Sequence, residues 1–397
     1  MMSGSERLVM NSMILLGLGY LAPYNSVLTA VDYFSDKFGS DIEYYVAAAL
    51  VCPNVVFLAL SVMFGLPWSE RTCIIGGFGI LLAGSMAMPF IEQAWILLVV
   101  SFAMGMSTAM TQGTLFSICG LLGPQHTAAL TIGTGCAGTV ICLIRMATKS
   151  APSEWTSVLA FFIFSSVLCV ACIVDFKCIV ENSEYMLKCR GKTAPQAKND
   201  SLREPLAKAE EGEDNNDDDN DDDEVKEKIS NTQIAKQAIR GIISVVLVFL
   251  VTLAIFPGII SEMKSSHVSS DWWSLILFTA FNFTDTVGKF SAGQFQVLHL
   301  NGLLSWSVLR LVFVPVFILC VNPDYIKWEW LQIVLVILFG LSNGYLGTLA
   351  MMLGPQQVSQ EQSGRAGLIM VFFLTTGLAV GSWVGVGLKQ LMDHTDL

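Results

Sequence analysis

Residues 239–261 read IRGIISVVLVFLVTLAIFPGIIS, with Arg240 as the single charged side chain among them. A helix of about 20 apolar residues spans the hydrocarbon core of a bilayer. Ten further windows approximately meet this requirement, at 9–31, 44–66, 73–91, 94–121, 126–147, 156–178, 273–296, 302–321, 329–353 and 365–391. These are long apolar runs, whereas the strands of a membrane β-barrel alternate over about ten residues. The sequence therefore predicts an all-α polytopic membrane protein with eleven transmembrane helices.

The overall composition argues against a water-soluble protein. Of the 397 residues, 53% are hydrophobic and 14% are charged, whereas a soluble domain carries about 25% charged residues. A soluble enzyme is therefore not expected, and we expect no enzymatic activity. The ten cysteines are scattered, mostly within the apolar windows, where small packing residues are a better interpretation than a metal or redox site.

The formal net charge of −11 comes from a single tract. Residues 210–224 contain eleven carboxylates and no basic residue, and the remaining 22 acids and 22 bases balance. The surrounding segment, 190–235, has almost no large apolar side chain, so it cannot bury enough surface to offset the entropy of ordering. We expect this segment to be a disordered tether, with regulation or partner binding as the alternative. Nucleic acid is not expected as a partner.

The basic residues predict the orientation of the chain in the lipid bilayer. Residues 179–240 carry ten Lys and Arg, which places this loop in the cytoplasm by the positive-inside rule. The N-terminus is then cytoplasmic and the C-terminus lies on the opposite side. The predicted units are a six-helix bundle at 1–180, an acidic cytoplasmic loop at 181–237 and a five-helix bundle at 238–397. This 6+5 layout is typical of a major-facilitator-like transporter without its last helix, in which two bundles rock around a site near the mid-plane.

Polar side chains within the eighth window indicate a cavity, because burying them in lipid is costly. Phe278, Asn282, Asp285 and Lys289 follow one another at intervals of three or four residues, so they form one stripe on a helix, and Asp285 can pair with Lys289. An aromatic ring, an amide, an acid and a base suit a polar heterocycle that carries a sugar. The alternative is an ion pair that only fixes helix packing.

Two further candidates lie in the first and fourth windows. Tyr24 follows Pro23, which interrupts the backbone hydrogen bonds of its helix and favours a cavity-lining position. Gln112 is an amide in an apolar stretch and can read a nucleobase edge in two hydrogen bonds, as amides do with adenine. The alternative for Gln112 is a hydrogen bond between helices. Arg145 and Arg310 are interpreted as snorkelling residues or partners of helix ends and gates, and neither is expected to contact substrate.

Several segments, in the same order along the chain, resemble the equilibrative nucleoside transporters. These are GLGYLAPYNSVLTAVDYF (17–34), TQGTLFSICGLLGP (111–124), FNFTDTVGK (281–289), LRLVFVPVFILC (309–320) and LSNGYLGTLAMMLGP (341–355). The resemblance covers nearly all of the chain except 190–235, and its details are most similar to plant and protist members. Tyr24 stands where the family usually has tryptophan, and Lys289 where many animal members have arginine.

The resemblance implies a substrate site between the two bundles. By position it consists of Tyr24, Gln112, Phe278, Asn282, Asp285 and Lys289. It also implies carriage of purine and pyrimidine nucleosides such as adenosine and uridine, and sometimes nucleobases, by alternating access without ATP, a bound cofactor or a metal. Transport is either facilitative or linked to protons, with Asp32 or Asp285 as the titrating group. The plasma membrane is the expected location, with the vacuole or another internal membrane as the alternative.

The main competing function is transport of organic cations or monoamines, which one branch of the same family performs. A cation needs an uncompensated acid in the cavity. Here Asp285 has Lys289 beside it, and position 134, where the cation-carrying branch has an acid, is Thr134. A receptor or channel is not supported, because the sequence has no large extracellular domain and no repeated filter-like motif.

Overall fold

A computed structural model describes residues 3–39, 41–66, 68–149, 154–193, 230–321 and 328–395. The regular secondary structure of these residues is helical throughout, which confirms the prediction of an all-α protein. The helices are α1 (Gly4–Thr29), α2 (Val31–Phe38), α3 (Ile42–Phe64), α4 (Glu70–Ala87), α5 (Ala94–Leu122), α6 (Pro124–Thr148), α7 (Glu154–Asp175), α8 (Glu184–Thr193), α9 (Asn231–Gln237), α10 (Ile239–Ile255), α11 (Gly258–Ser261), α12 (Ser270–Gln294), α13 (Leu300–Leu309), α14 (Phe313–Val321), α15 (Glu329–Leu353) and α16 (Ser363–Thr395).

Within the described residues, nine stretches are long and apolar enough to cross a membrane. A tenth is counted if α1 and α2, which are bent by 47° where they meet, form one broken span. Each of the eleven predicted windows contains helix. Helix α12 is the one predicted span among the described residues that does not count as apolar enough, because Asp271, Asp285 and Lys289 lower its apolar character. Length and apolarity alone therefore do not reach the predicted count of eleven spans.

Local sequence signals explain where several helices begin. Ser3 caps α1 and forms a reciprocal capping box with Glu6, which satisfies two backbone N–H groups that the helix leaves free. Between α5 and α6, Gly123 has a positive φ of 110°. Glycine adopts this conformation readily, whereas residues with a side chain adopt it at a cost. Pro124 then occupies the first turn of α6, where its missing N–H removes no helical hydrogen bond.

The helices pack as two neighbouring groups. In the first group α1 contacts α6 and α7, and α5 contacts α3 and α4. In the second group α12 contacts α15, and α10 contacts α15 and α16. The two groups meet where α6 lies against α12 and where α5 lies against α16. A seam between the groups therefore runs along these two helix pairs.

Glycine allows the closest of these helix contacts. A Cβ atom at Gly344 would lie 1.9 Å from the carbonyl oxygen of Asp285, so α15 approaches the backbone of α12 directly. In the first group, a Cβ atom at Gly133 of α6 would lie 2.1 Å from the carbonyl oxygen of Ile14 in α1. Small residues permit such backbone approach between helices in lipid, where packing replaces the hydrophobic effect as the source of association.

Short helices occupy both ends of the segment predicted to be disordered. Helix α8 ends at Thr193, and α9 begins after Ser230, which forms a capping box with Gln233. Ile234 of α9 is fully buried, so this end of the loop has an apolar anchor that the overall composition concealed. The acidic tract 210–224, together with the rest of 194–229, lies outside the described residues.

The contact between α12 and α15 can be tested by substituting Gly344. We expect Gly344→Ala to cost about 1–3 kcal/mol of stability, because its methyl group forces the two backbones apart. Thermal unfolding of the detergent-solubilised protein measures the change. The control is Gly79→Ala in α4, where a Cβ atom would meet nothing within 4 Å. An equal loss of stability in both variants would contradict the interpretation.

Candidate functional site

A cavity of about 1050 Å³ lies between the two groups of helices. Its walls come from α1, α3, α5 and α6 on one side and from α10, α12, α15 and α16 on the other. All the site residues predicted from the sequence line it: Tyr24, Gln112, Phe278, Asn282, Asp285 and Lys289. The structure thus brings the six together, and their role in binding substrate stays a prediction.

The charged centre of the cavity wall is an ion pair on α12. Lys289 Nζ lies 2.8 Å from Asp285 Oδ2, and the side chains are 12% and 7% exposed. The spacing of four residues predicted this pair, because it places both side chains on one helix face. The second carboxylate oxygen, Oδ1, accepts a hydrogen bond of 2.7 Å from Asn343 Nδ2 of α15. Both oxygens of Asp285 are therefore satisfied by neighbouring side chains.

The same stripe of α12 rests against α6 of the other helix group. Lys289 Nζ donates to Thr134 Oγ1 at 3.3 Å. Asn282 Nδ2 donates to the carbonyl oxygen of Phe278 at 2.9 Å, and a Cβ atom at Gly138 of α6 would lie 2.3 Å from Asn282 Oδ1. The polar side chains of α12 therefore lie at the seam, where any movement of one helix group against the other changes their contacts.

Aromatic rings form another part of the wall. The ring of Phe278 meets Phe256 edge-on, with centroids 5.0 Å apart, and Phe256 stacks on Phe281 at 4.5 Å. Phe278 is half-buried, as is Tyr24 on α1, so both leave surface to the cavity. Aromatic side chains provide large apolar faces with defined geometry.

Gln112 faces the cavity from α5. Its side chain is 8% exposed, and no hydrogen bond of its amide is found with another described residue. The alternative prediction for Gln112, a hydrogen bond between helices, is therefore not supported in this part of the chain. Because Gln112 lines the cavity, its amide is available to a polar solute bound there.

The cavity lining also contains polar residues that the sequence did not single out, among them Asn343, Asn54 and Thr348. Asn343 binds Asp285. Asn54 and Thr348 are 7% and 1% exposed, and the side-chain oxygen of each is buried without a described hydrogen-bond partner. The signal was available, because each is a polar residue inside an apolar window. What the sequence did not reveal is which helix face each occupies relative to the cavity.

Charged side chains are paired at one end of the cavity. Arg145 lies 3.5 Å from Asp32, and Lys149 Nζ lies 5.1 Å from the centroid of the Trp272 ring. Partial burial lowers the pKa of Lys149, while the nearby Asp271 acts in the opposite direction. This end, where Asp32, Lys149 and Asp271 line the wall, therefore balances acids against bases.

The two helix groups contact each other at the opposite end. Gln360 donates to the carbonyl oxygen of Leu121 at 2.7 Å. Asn231 of α9 donates to the carbonyl oxygen of Val62 at 2.5 Å and accepts a hydrogen bond from Arg365. These contacts tie α5 and α3 of the first group to the segment around α16 of the second. The structure is therefore held together at this end, and the cavity extends toward the other.

Comparison with known proteins gives three findings. Residues 97–389 match the family model described as "Nucleoside transporter". The chain is 27% identical to "Equilibrative nucleotide transporter 8" of Arabidopsis thaliana, over 94% of this chain and 92% of that protein. It is 28% identical to "Equilibrative nucleoside transporter 1" of Homo sapiens, over 93% of this chain and 94% of that protein.

A solved structure supports the predicted fold class. The chain superposes on a major facilitator superfamily proton:xylose symporter bound to 6-bromo-6-deoxy-D-glucose with a TM-score of 0.61. The alignment covers 98% of this chain and 90% of the other, at 11% sequence identity. The major-facilitator-like fold predicted from the sequence is thereby confirmed.

The ion pair can be tested with Asp285→Asn, which keeps the size of the side chain and removes its charge. We expect the uptake of radiolabelled nucleoside, per protein molecule at the cell surface, to fall at least about tenfold, because Lys289 becomes an uncompensated buried cation. Uptake and surface biotinylation are measured on the same cells. Glu262→Gln, which removes an exposed ion pair with Lys389, is the control and should leave uptake unchanged. An equal fall in uptake and surface amount for Asp285→Asn would indicate a folding role instead.

Proposed function

The chain belongs to the nucleoside transporter family, and from this premise we propose that it carries nucleosides such as adenosine and uridine across a bilayer by alternating access. The observation that carries the proposal is the cavity between the two helix groups, with the Asp285–Lys289 pair in its wall. Nucleobases, which are smaller and share the base edge, are a secondary substrate class.

The cavity wall offers complementary groups for each part of a nucleoside. The ammonium group of Lys289 has three N–H donors, of which one is used by Asp285 and one by Thr134. We assign the third to a hydroxyl or carbonyl oxygen of the substrate. The amide of Gln112, which has no hydrogen bond to another described residue, pairs with the base edge, since an amide carries a donor and an acceptor side by side. Phe278 and Tyr24 contact the faces of the base.

Charge balance in the cavity supports an uncharged substrate. Asp285 and Asp32 are each paired with a base, Lys289 and Arg145 respectively. An organic cation, the alternative substrate, would have to displace one of these bases, and Thr134 offers no acid beside Lys289. The Arabidopsis relative is named as a nucleotide transporter. At the centre of the cavity a phosphate would likewise have to displace Asp285 from Lys289, so we assign nucleosides to this chain.

We propose that α12 also crosses the membrane, which brings the number of transmembrane helices to eleven. Its 25 residues extend about 37 Å at 1.5 Å per residue, which is enough to cross the hydrocarbon core. Its polar stripe lines the cavity, whereas Phe283, Val287 and Phe290 on another face are 58%, 38% and 55% exposed. A helix with this division suits a position between a cavity and lipid.

The proposed topology follows from that count. It places six spans in 1–180, a cytoplasmic loop at 181–237 and five spans in 238–397. The N-terminus is then cytoplasmic and the C-terminus lies on the opposite side, because the loop carries nine basic residues and basic loops stay in the cytoplasm. The plasma membrane is the proposed location.

We propose that transport is facilitative. Of the two acids that the sequence offered for proton coupling, Asp285 is held by Lys289 and Asn343, and Asp32 lies beside Arg145. Both acids have a cationic partner in this conformation, so neither needs a proton to neutralise its charge.

The substrate class is tested by uptake into cells that lack their own carrier. Radiolabelled uridine and adenosine should enter, and each should be competed by the other unlabelled nucleoside. Serotonin and uridine monophosphate should compete weakly, because Asp285 and Asp32 are already paired with Lys289 and Arg145. Saturable uptake of serotonin without uptake of either nucleoside would show that the chain is a cation carrier.

The coupling is tested in the same cells at acidic and neutral external pH, with and without a protonophore. We expect uridine to equilibrate without accumulating above its external concentration, and we expect the protonophore to leave the initial rate unchanged. Accumulation at acidic pH that the protonophore abolishes would establish proton-linked transport.

A further inference from the structure

Arg310 is a buried cation that the substrate cavity does not explain. It lies in the short 3₁₀ turn between α13 and α14, is 2% exposed, and is absent from the cavity lining formed by the described residues. Its Nη1 atom donates to the carbonyl oxygen of Phe339 at 3.2 Å and to Ser342 Oγ at 2.5 Å. A charged side chain within an apolar span is costly and usually has a functional reason.

The other nitrogen of Arg310 begins a chain of hydrogen bonds that ends at the cavity. Nη2 donates to Thr252 Oγ1 of α10 at 3.0 Å. Thr252 Oγ1 donates to Asn343 Oδ1 at 2.6 Å, and Asn343 Nδ2 donates to Asp285 Oδ1 at 2.7 Å. The chain therefore links four elements, which are the turn after α13, α10, α15 and α12.

The two charged ends constrain the direction of the bonds in the chain, because the guanidinium group of Arg310 only donates and the carboxylate of Asp285 only accepts. Arginine can only donate, so the Thr252 hydroxyl accepts from it and points its own hydrogen elsewhere. When that hydrogen faces Asn343, the amide oxygen of Asn343 is held on the side of Thr252. Its nitrogen is thereby directed at Asp285. Donation from Thr252 to the carbonyl oxygen of Val248, 2.7 Å away, would leave Asn343 without this restraint.

We propose that Arg310 is a positioning residue for substrate binding, which acts through Thr252 and Asn343 to fix the Asp285 carboxylate beside Lys289. The inference rests on the proposed function, because it concerns how the same cavity binds a nucleoside. Lys289 and Asp285 balance each other within the cavity wall, but Arg310, which lies behind the wall, shares the charge of Asp285 through the chain. Lys289 thus keeps electrostatic attraction for an electronegative oxygen of the substrate.

A double-mutant cycle tests the chain. Arg310→Gln removes the charge, and Thr252→Val removes the hydroxyl at nearly constant size. We expect each change to raise the apparent KM for uridine about tenfold, and the double variant to be no worse than about twofold beyond the larger single effect, because both cut one chain. The maximal rate per surface molecule should change less than KM. Ser342→Ala, which removes a contact of Arg310 outside the chain, is the control and should leave KM unchanged.

The possible outcomes separate this inference from the proposed function. If the wild-type protein carries no nucleoside, the proposed function is wrong. If it does, but the two effects on KM multiply, Arg310 and Thr252 act independently and the inference is overturned. Reduced surface amount with unchanged KM would show that Arg310 only supports folding. If Arg310→Gln fails to reach the surface, Arg310→Lys, which keeps the charge but loses the guanidinium fork, takes its place in the cycle, because Thr252 also lines the cavity and Thr252→Val alone does not decide.

Discussion

The ion pair between Asp285 and Lys289 lies deep among helices, where charges are costly unless they are paired and hydrogen-bonded. Asp285 meets this requirement with Lys289 on one oxygen and Asn343 on the other. Lys289 in turn reaches Thr134 on the facing helix. The arrangement of α6, α12 and α15 around the cavity depends on these contacts, since moving α6 or α15 away from α12 would remove a hydrogen-bond partner from one of the two buried charges.

The close approach of α12 and α15 makes this arrangement possible. Gly344 follows Asn343 directly, and its missing side chain lets α15 reach the backbone of α12 beside Asp285. A larger residue would widen the gap across which Asn343 must donate. The polar network and the glycine contact are therefore one structural solution, because a hydrogen bond of normal length needs the backbones to be close.

A charge-balanced wall at a movable seam suits a carrier of uncharged polar solutes. Charges that are paired within the protein need not be neutralised by the solute, and they can remain paired while the helix groups move. The hydrogen bonds at the Asn231 and Gln360 end hold the groups together there, while the cavity extends toward Asp32 and Lys149. Alternating access would require the first set of contacts to break as the second end closes.

The sequence by itself determined the helical class, the positions of most of the apolar helices and the Asp285–Lys289 pair, because apolar length and a spacing of four residues are local properties of a helix. It did not show that Asn343, 58 residues from Asp285, donates a hydrogen bond to the second carboxylate oxygen. Nor did it show that Thr134, 155 residues from Lys289, accepts one from the ammonium group. It also set Arg310 aside as a snorkelling residue or a partner of helix ends, whereas the structure connects it to the cavity. These partnerships depend on which helices are neighbours and how each is rotated, and packing across the whole chain decides both.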